Sequence, residues 1–196
     1  MLRRAASRAS LRSRERKLRL FLDTFAPGPE TSVLDVGVTD SGYGGTYGTD
    51  NFLEARYPWP ERITAVGVTS LDRFGEAFPQ VHRVTADGRA LPFADGEFEL
   101  GFSNAVVEHV GDLDDQRALV RELCRVARRV FVTTPDRRFP LEVHTLLPLV
   151  HWLPRAAQPA SLDGIRLLGP RAFRELFPYP VRIVSSGVTL TAIGPV

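Results

Sequence analysis

Apolar residues recur along this chain at two spacings, and the two alternate. Short apolar runs bounded by turn residues read as strands: "SVLDVG" (32–37), "RITAVGV" (62–68), "VHRVTA" (81–86), "FELGFS" (98–103) and "RVFVTTP" (129–135). The last is stopped by Pro135. Helical patterns lie between them. The clearest is "DLDDQRALVRELCRVARR" (112–129), where Leu119, Val120, Leu123, Cys124 and Ala127 form one apolar stripe. Asp112 is placed to cap it, and Asp115 puts negative charge in its first turn. Shorter helices are expected over 51–58 and 169–178, and an amphipathic one over Leu11–Phe25. Strands alternating with helices predict a parallel α/β sheet. The tail "VRIVSSGVTLTAI" (181–193) has two β runs around a Ser-Gly turn, which predicts a closing antiparallel hairpin.

Ligands of an open parallel sheet bind outside the carboxyl ends of its strands. The candidate chemistry is therefore what each strand delivers there. Strand one delivers Asp35 and Gly37, and strand two Thr69, Ser70 and Asp72. Asp87 and Gly88 follow strand three, "SNAVVEHV" (103–110) ends strand four, and "TTPD" (133–136) ends strand five. Polar and acidic groups at successive strand ends suit a ligand with hydroxyls, an amino group and a cationic centre. A phosphate-bearing nucleotide would want a glycine-rich turn and a helix N-terminus. The G-x-G-x-x-G turn of a dinucleotide dehydrogenase is absent.

Beyond strand five the pattern breaks. "DRRFPLEVHTLLPLVHWLP" mixes prolines with Glu142, His144 and His151, and leaves from the edge where a ligand would sit. Residues 136–170 are therefore expected to cover the acceptor. His144 and Glu142 are the candidate catalytic pair, with His144 as general base or substrate-positioning group, and His109 and His151 are further candidate bases. The apolar residues of the segment, among them Phe139, Leu146 and Trp152, suit a partly apolar acceptor or equally a homodimer surface.

Composition narrows the class. A chain of 196 residues with 43% hydrophobic and 24% charged residues is long enough to bury one domain core, so one domain over 1–196 is expected. No run reaches the ~20 apolar residues of a membrane span, and no secretory signal pattern follows the basic N-terminus. A cytoplasmic address is the expectation. With one cysteine there is neither a disulfide framework nor a cysteine-based metal cluster, and no metal ligand set is specified. Cys124 lies in the apolar stripe and reads as a core thiol. The net charge of +2 and pI near 9.0 come from arginines, since Lys17 is the only lysine. The one basic concentration is residues 3–19, read as a frayed arm leading into the first helix; residues 1–28 form this arm and helix. A nucleic-acid partner is not indicated, because acidic residues are nearly as numerous and no aromatic-and-basic stripe is present.

"VLDVG", "ADGRALPFADGEFELGFSNAVVEHV" and "RELCRVARRVFVTTP", in this order and spacing, resemble a class I S-adenosylmethionine-dependent methyltransferase. The resemblance is nearest to the small, single-domain bacterial kind, methyltransferase type 11-like, and covers roughly residues 30–154. It implies a Rossmann-like, seven-stranded, mostly parallel sheet with helices on both faces and a C-terminal antiparallel hairpin. It also implies S-adenosylmethionine as cofactor. Asp35 and Gly37 match the motif beside the methionine and ribose portion, and Asp87 with Gly88 the acceptor of the adenine amino group. Ser103 and Asn104 match the turn lining the methionine moiety, and Glu108 and His109 the "EH" that follows. Two departures stand out. "GVTDSGYGGTYGTDN" (37–51) replaces the usual G-x-G-x-G loop, and Val68-Thr69-Ser70 stands where an acid normally takes the ribose hydroxyls, leaving Thr69 and Asp72 as substitutes. The function implied is methyl transfer to a small-molecule hydroxyl on a sugar, glycolipid or secondary metabolite. A non-catalytic cofactor-binding or scaffolding protein and an RNA methyltransferase stay open as alternatives.

Overall fold

Branched and aromatic runs flanked by turns do form the strands, and the chain divides into two compact units, Met1–Asp87 and Gly88–Val196. The computed structural model describes residues 2–40, 51–143, 145 and 147–196, with backbone alone for 2–10 and 155. Among the described residues the sheet has seven strands, β1 (Val33–Val36), β2 (Ile63–Gly67), β3 (His82–Thr85), β4 (Phe98–Asn104), β5 (Ala127–Pro135), β6 (Arg182–Ser185) and β7 (Thr189–Gly194), in the order β3-β2-β1-β4-β5-β7-β6. It is the mostly parallel, Rossmann-like sheet expected. No described helix is long and apolar enough to cross a membrane.

In the first unit, β1 (Val33–Val36), β2 (Ile63–Gly67) and β3 (His82–Thr85) pair in parallel, with Val33 opposite Ile63 and Thr64 opposite His82. All four residues of β1 are buried, as a central parallel strand requires, whereas β3 carries exposed His82 and Arg83. Helix α1 spans Leu2–Phe25. Residues 3–19 are thus helical rather than a frayed arm, because Arg, Ala, Leu and Glu are good helix formers and no Gly or Pro intervenes before Pro27. Leu18, Phe21 and Phe25, at i, i+3 and i+7, are its buried stripe. Phe21 meets Phe25 at 5.3 Å and Tyr57 at 6.3 Å between ring centroids.

The helix expected over 51–58 is instead a set of turns. Ala55 N–H and Tyr57 N–H reach back a full helical turn, to Asn51 O at 3.4 Å and Leu53 O at 2.7 Å, but Arg56 N–H bonds Leu53 O three residues back, and Pro58 and Pro60 prevent continuation. A short helix not expected from the pattern, α2 (Asp72–Ala77), follows β2. Its N-terminus is capped from a distance, since Phe74 N–H donates to Asp40 Oδ1 at 2.7 Å.

In the second unit, β4 (Phe98–Asn104) pairs in parallel with β5 (Ala127–Pro135), and β7 (Thr189–Gly194) runs antiparallel to both β5 and β6 (Arg182–Ser185). The expected hairpin forms, its turn passing through Gly187 at φ +86°. Between β4 and β5 lies α3 (Leu113–Val126). Asp112 accepts from the N–H groups of Asp114 and Asp115, and Asp115 accepts in return from Asp112 N–H, a full capping box. The helix ends at Val126 rather than 129 because Ala127 is already extended and begins β5 without a loop. A side chain at Gly101 would come within 2.8 Å of both Ala127 Cβ and Leu123 Cδ1, so glycine lets the helix lie close to β4. Helix α4 (Pro170–Arg174) covers the centre of the helix expected at 169–178.

Candidate functional site

In the first unit the strand ends are acidic. Asp35 on β1 is 6% exposed and Glu54, from the turns after residue 50, is 4% exposed. Between Gly37 and Ala55 the sequence has no lysine, arginine or histidine, and among the described residues no cation pairs with either acid. Two carboxylates can only accept hydrogen bonds, so neither bonds the other until one takes a proton. Burial, and then the charge of Glu54, push the Asp35 carboxyl well above the usual range. Glu54 rises by burial as well, opposed by its bond with Asp35. The pair therefore shares a proton, one carboxyl donating to the other, and the Glu54 oxygens find no further partner among the described residues. Glu54 was not legible as a site residue.

Gly37 follows at φ +106°, a conformation open to glycine, and its N–H donates to Val66 O at 2.8 Å. Residues 41–50, the bulk of the altered loop, lie outside the described residues. After β2 the chain exposes Val68, Thr69 and Ser70. Thr69 O accepts from Thr85 Oγ1 at 3.3 Å, and Asp72 accepts from Ser70 Oγ at 2.6 Å at the start of α2. Asp87, exposed, closes the first unit.

The second unit begins with Gly88, buried. At the end of β4, Ser103 is 1% exposed, and Asn104 Oδ1 accepts from Thr133 Oγ1 at 2.8 Å on β5. A single 3-10 turn, Val107–His109, follows. Glu108 is fully buried and accepts from Thr134 Oγ1 at 3.0 Å, tying this turn to the end of β5. His109 faces outward, its Nε2 4.0 Å from Glu108 Oε1. Of the "EH" pair, then, Glu108 braces the strand ends and His109 is the accessible member.

The segment after β5 folds back onto these ends. Arg137 N–H donates to Leu168 O at 3.0 Å, and Arg166 N–H to Glu108 O at 2.8 Å. Gln116, buried on α3, donates its amide to Val107 O at 2.9 Å and Arg166 O at 3.0 Å. Sequence reading missed Gln116. The signal was a polar residue one turn before Leu119 and Val120 on the apolar stripe. Glu142 is fully buried and accepts from both the N–H and the hydroxyl of Thr145, at 2.6 and 2.8 Å. His144 lies outside the described residues, as does Leu146. His151 does not continue a helix with the preceding residues: Leu149 sits at φ +60° and only a 3-10 turn, Val150–Trp152, follows. His151 is buried, its Nε2 3.0 Å from Arg137 O, and Trp152 Nε1 donates to the same oxygen at 2.8 Å. Burial pushes the Cys124 thiol up to about 11, so it is no nucleophile at neutral pH.

Residues 40–130 match the family model described as a methyltransferase domain. Among solved structures, a protein from Pyrococcus horikoshii OT3 superposes with a TM-score of 0.61 at 17% identity, over 93% of this chain and 89% of that one. The N-methyltransferase NodS from Bradyrhizobium japonicum WM9, solved with S-adenosyl-L-homocysteine, superposes at 0.60 and 14% identity, over 92% and 85%. Phosphoethanolamine N-methyltransferase 2 of Haemonchus contortus, in complex with S-adenosyl-L-methionine, superposes at 0.59 and 14% identity, over 88% and 38%. At these identities the likeness is one of fold. The sequence matches no curated protein.

Proposed function

We propose that this chain, a class I S-adenosylmethionine-dependent methyltransferase by its matched domain and its sheet, methylates a hydroxyl of a small molecule: a sugar, a glycolipid or a secondary metabolite. The observation that supports a small acceptor is the fold-back of residues 136–168. Hydrogen bonds from Arg137, Arg166 and Gln116 hold this segment against the ends of β4 and β5. A segment so pinned narrows access to that edge, which favours a compact acceptor over a polymer.

The residues present fit the cofactor's chemistry. S-adenosylmethionine brings a sulfonium, an ammonium and ribose hydroxyls, and the first unit offers Asp35 and Glu54, buried acids with no cation of their own. Binding of a cation beside them would draw the shared proton off. In the first unit we assign Asp35, Gly37, Thr69, Asp72 and Asp87 to the cofactor, with Gly37 allowing close backbone approach. In the second unit we assign Gly88, Ser103, Asn104 and His109. When bound, the cofactor supplies a methyl group on a cationic sulfur, open to in-line attack by a nucleophile held at about 3–3.5 Å. His144 is assigned as the base that takes the acceptor's proton. Glu142, already accepting twice from Thr145, is assigned to hold that turn rather than to move a proton.

Titration calorimetry with S-adenosylmethionine is expected to show one saturable site, and no heat at millimolar cofactor sinks the reading. In a panel of hydroxyl and amine acceptors, turnover is expected on a hydroxyl compound; turnover of amines alone overturns the O-directed assignment. With that acceptor, His144→Ala is expected to lower kcat by about 10²–10⁴ while cofactor affinity holds. An unchanged kcat removes His144 from the mechanism.

A further inference from the structure

We infer that a cleft in the second unit, of about 330 Å³, binds an anionic group of the acceptor, a carboxylate or a phosphate. The inference rests on the small-acceptor reading above and adds to it the charge of the molecule recognised. The cleft is lined by Arg137, His151, Gln158 and Arg166 on its polar side and by Leu162 and Ile165 on its apolar side. None of its lining residues is acidic.

Two polar atoms in this lining are buried with no hydrogen-bond partner among the described residues: Arg166 Nε and His151 Nδ1. A buried guanidinium N–H without an acceptor has lost its water and gained nothing in return, a deficit that an incoming anion relieves. Two other arginines of the second unit are already satisfied. Arg138 holds Asp136 at 2.8 Å, and Arg125 holds Glu122 and Asp95 at 2.8 and 2.7 Å. Among the described residues no carboxylate pairs with Arg137 or Arg166, so one cleft contains two cations without counterions.

His151 adds a second requirement. It is 7% exposed, and its Nε2 faces Arg137 O, which can only accept. Nε2 therefore carries the hydrogen, and in the neutral tautomer so fixed Nδ1 is an acceptor. A hydroxyl beside the anion would satisfy it. The ligand class is then a small hydroxylated anion, such as a hydroxy acid or a sugar phosphate, whose apolar remainder lies along Leu162 and Ile165. The site is also built in advance. Arg166 is held at its N–H by Glu108 O and at its carbonyl by Gln116, while Arg137 O is gripped by both His151 and Trp152. Little ordering is left for the ligand to impose.

Trp152 reports on the site, since its indole donates to Arg137 O. In a Trp59→Phe background, where it is the remaining tryptophan, its emission is followed against inorganic phosphate, glycolate and chloride at matched ionic strength. A saturable change with phosphate or glycolate and none with chloride is expected, and the tighter of the two identifies the anion. Arg166→Gln is expected to weaken it at least tenfold and to leave S-adenosylmethionine binding unchanged. Should Arg166→Gln fail to fold by circular dichroism, Arg137→Gln, at an exposed position, is expected to show the same loss. No saturation, equal response to chloride, or equal affinity in the folded variant overturns the inference. If wild-type protein binds the anions yet gives no heat with S-adenosylmethionine, the methyltransfer reading falls and the cleft stands as an anion site without an acceptor role.

Discussion

A carboxyl buried against a second carboxyl keeps its proton longer than one in water, and Asp35 does so beside Glu54. The consequence for stability has a definite sign. Below the ordinary carboxylate range both folded and unfolded chains hold the proton. As pH rises from that range toward the raised value of Asp35, the unfolded chain releases its proton and the folded one keeps it, so stability falls with rising pH. Asp35→Asn is expected to flatten that fall and to raise the melting temperature at alkaline pH by about 2–4 °C for each kcal/mol relieved. Thermal melts of both proteins from pH 5 to about pH 8, where maximal stability usually ends, check it; parallel curves reject the shared-proton account. At this scale Asp35 was visible as the acid closing an apolar run. Its partner was not, because Glu54 stands in a segment read as a short helix and becomes a neighbour only when the turns bring it back to β1.

Strands and the long helix were legible because burial imposes periods of two and of 3.6 on the residues that face the core. Boundaries were less so. Helix α3 passes into β5 at Ala127 with no turn signal, and α2 takes its cap from Asp40, 34 residues away from Phe74, so no local capping residue announced it. Gln116 shows how one element governs another: its amide satisfies carbonyls of the 107–109 turn and of the fold-back segment together. Gln116→Leu leaves both carbonyls without that donor in a buried setting and is expected to destabilise the protein by about 1–3 kcal/mol. It is also expected to speed hydrogen exchange at residues 165–168 more than in the strands. Uniform exchange rates in the variant would show that the segment is held by other contacts.

For the molecule as a whole, the near balance of 25 basic and 23 acidic residues argues against a polyanion as partner. Transfer RNA is accordingly expected to show no retention on the protein at physiological ionic strength, and salt-dependent retention would reopen the RNA alternative. The matched domain and the sheet carry the cofactor assignment, but fold leaves the acceptor open, because the groups that choose it lie on the connections rather than the strands. The alternation of apolar runs with amphipathic stretches was sufficient for the sequence to determine a mostly parallel sheet with a closing hairpin, since that pattern follows from which residues must leave water. The juxtaposition of Asp35 with Glu54, and of Arg137 with His151 and Arg166, was decided only by the tertiary structure. Those groups are polar and obey no period, so their meeting depends on where turns and the fold-back return the chain, and on hydrogen bonds such as those of Gln116 that hold it there.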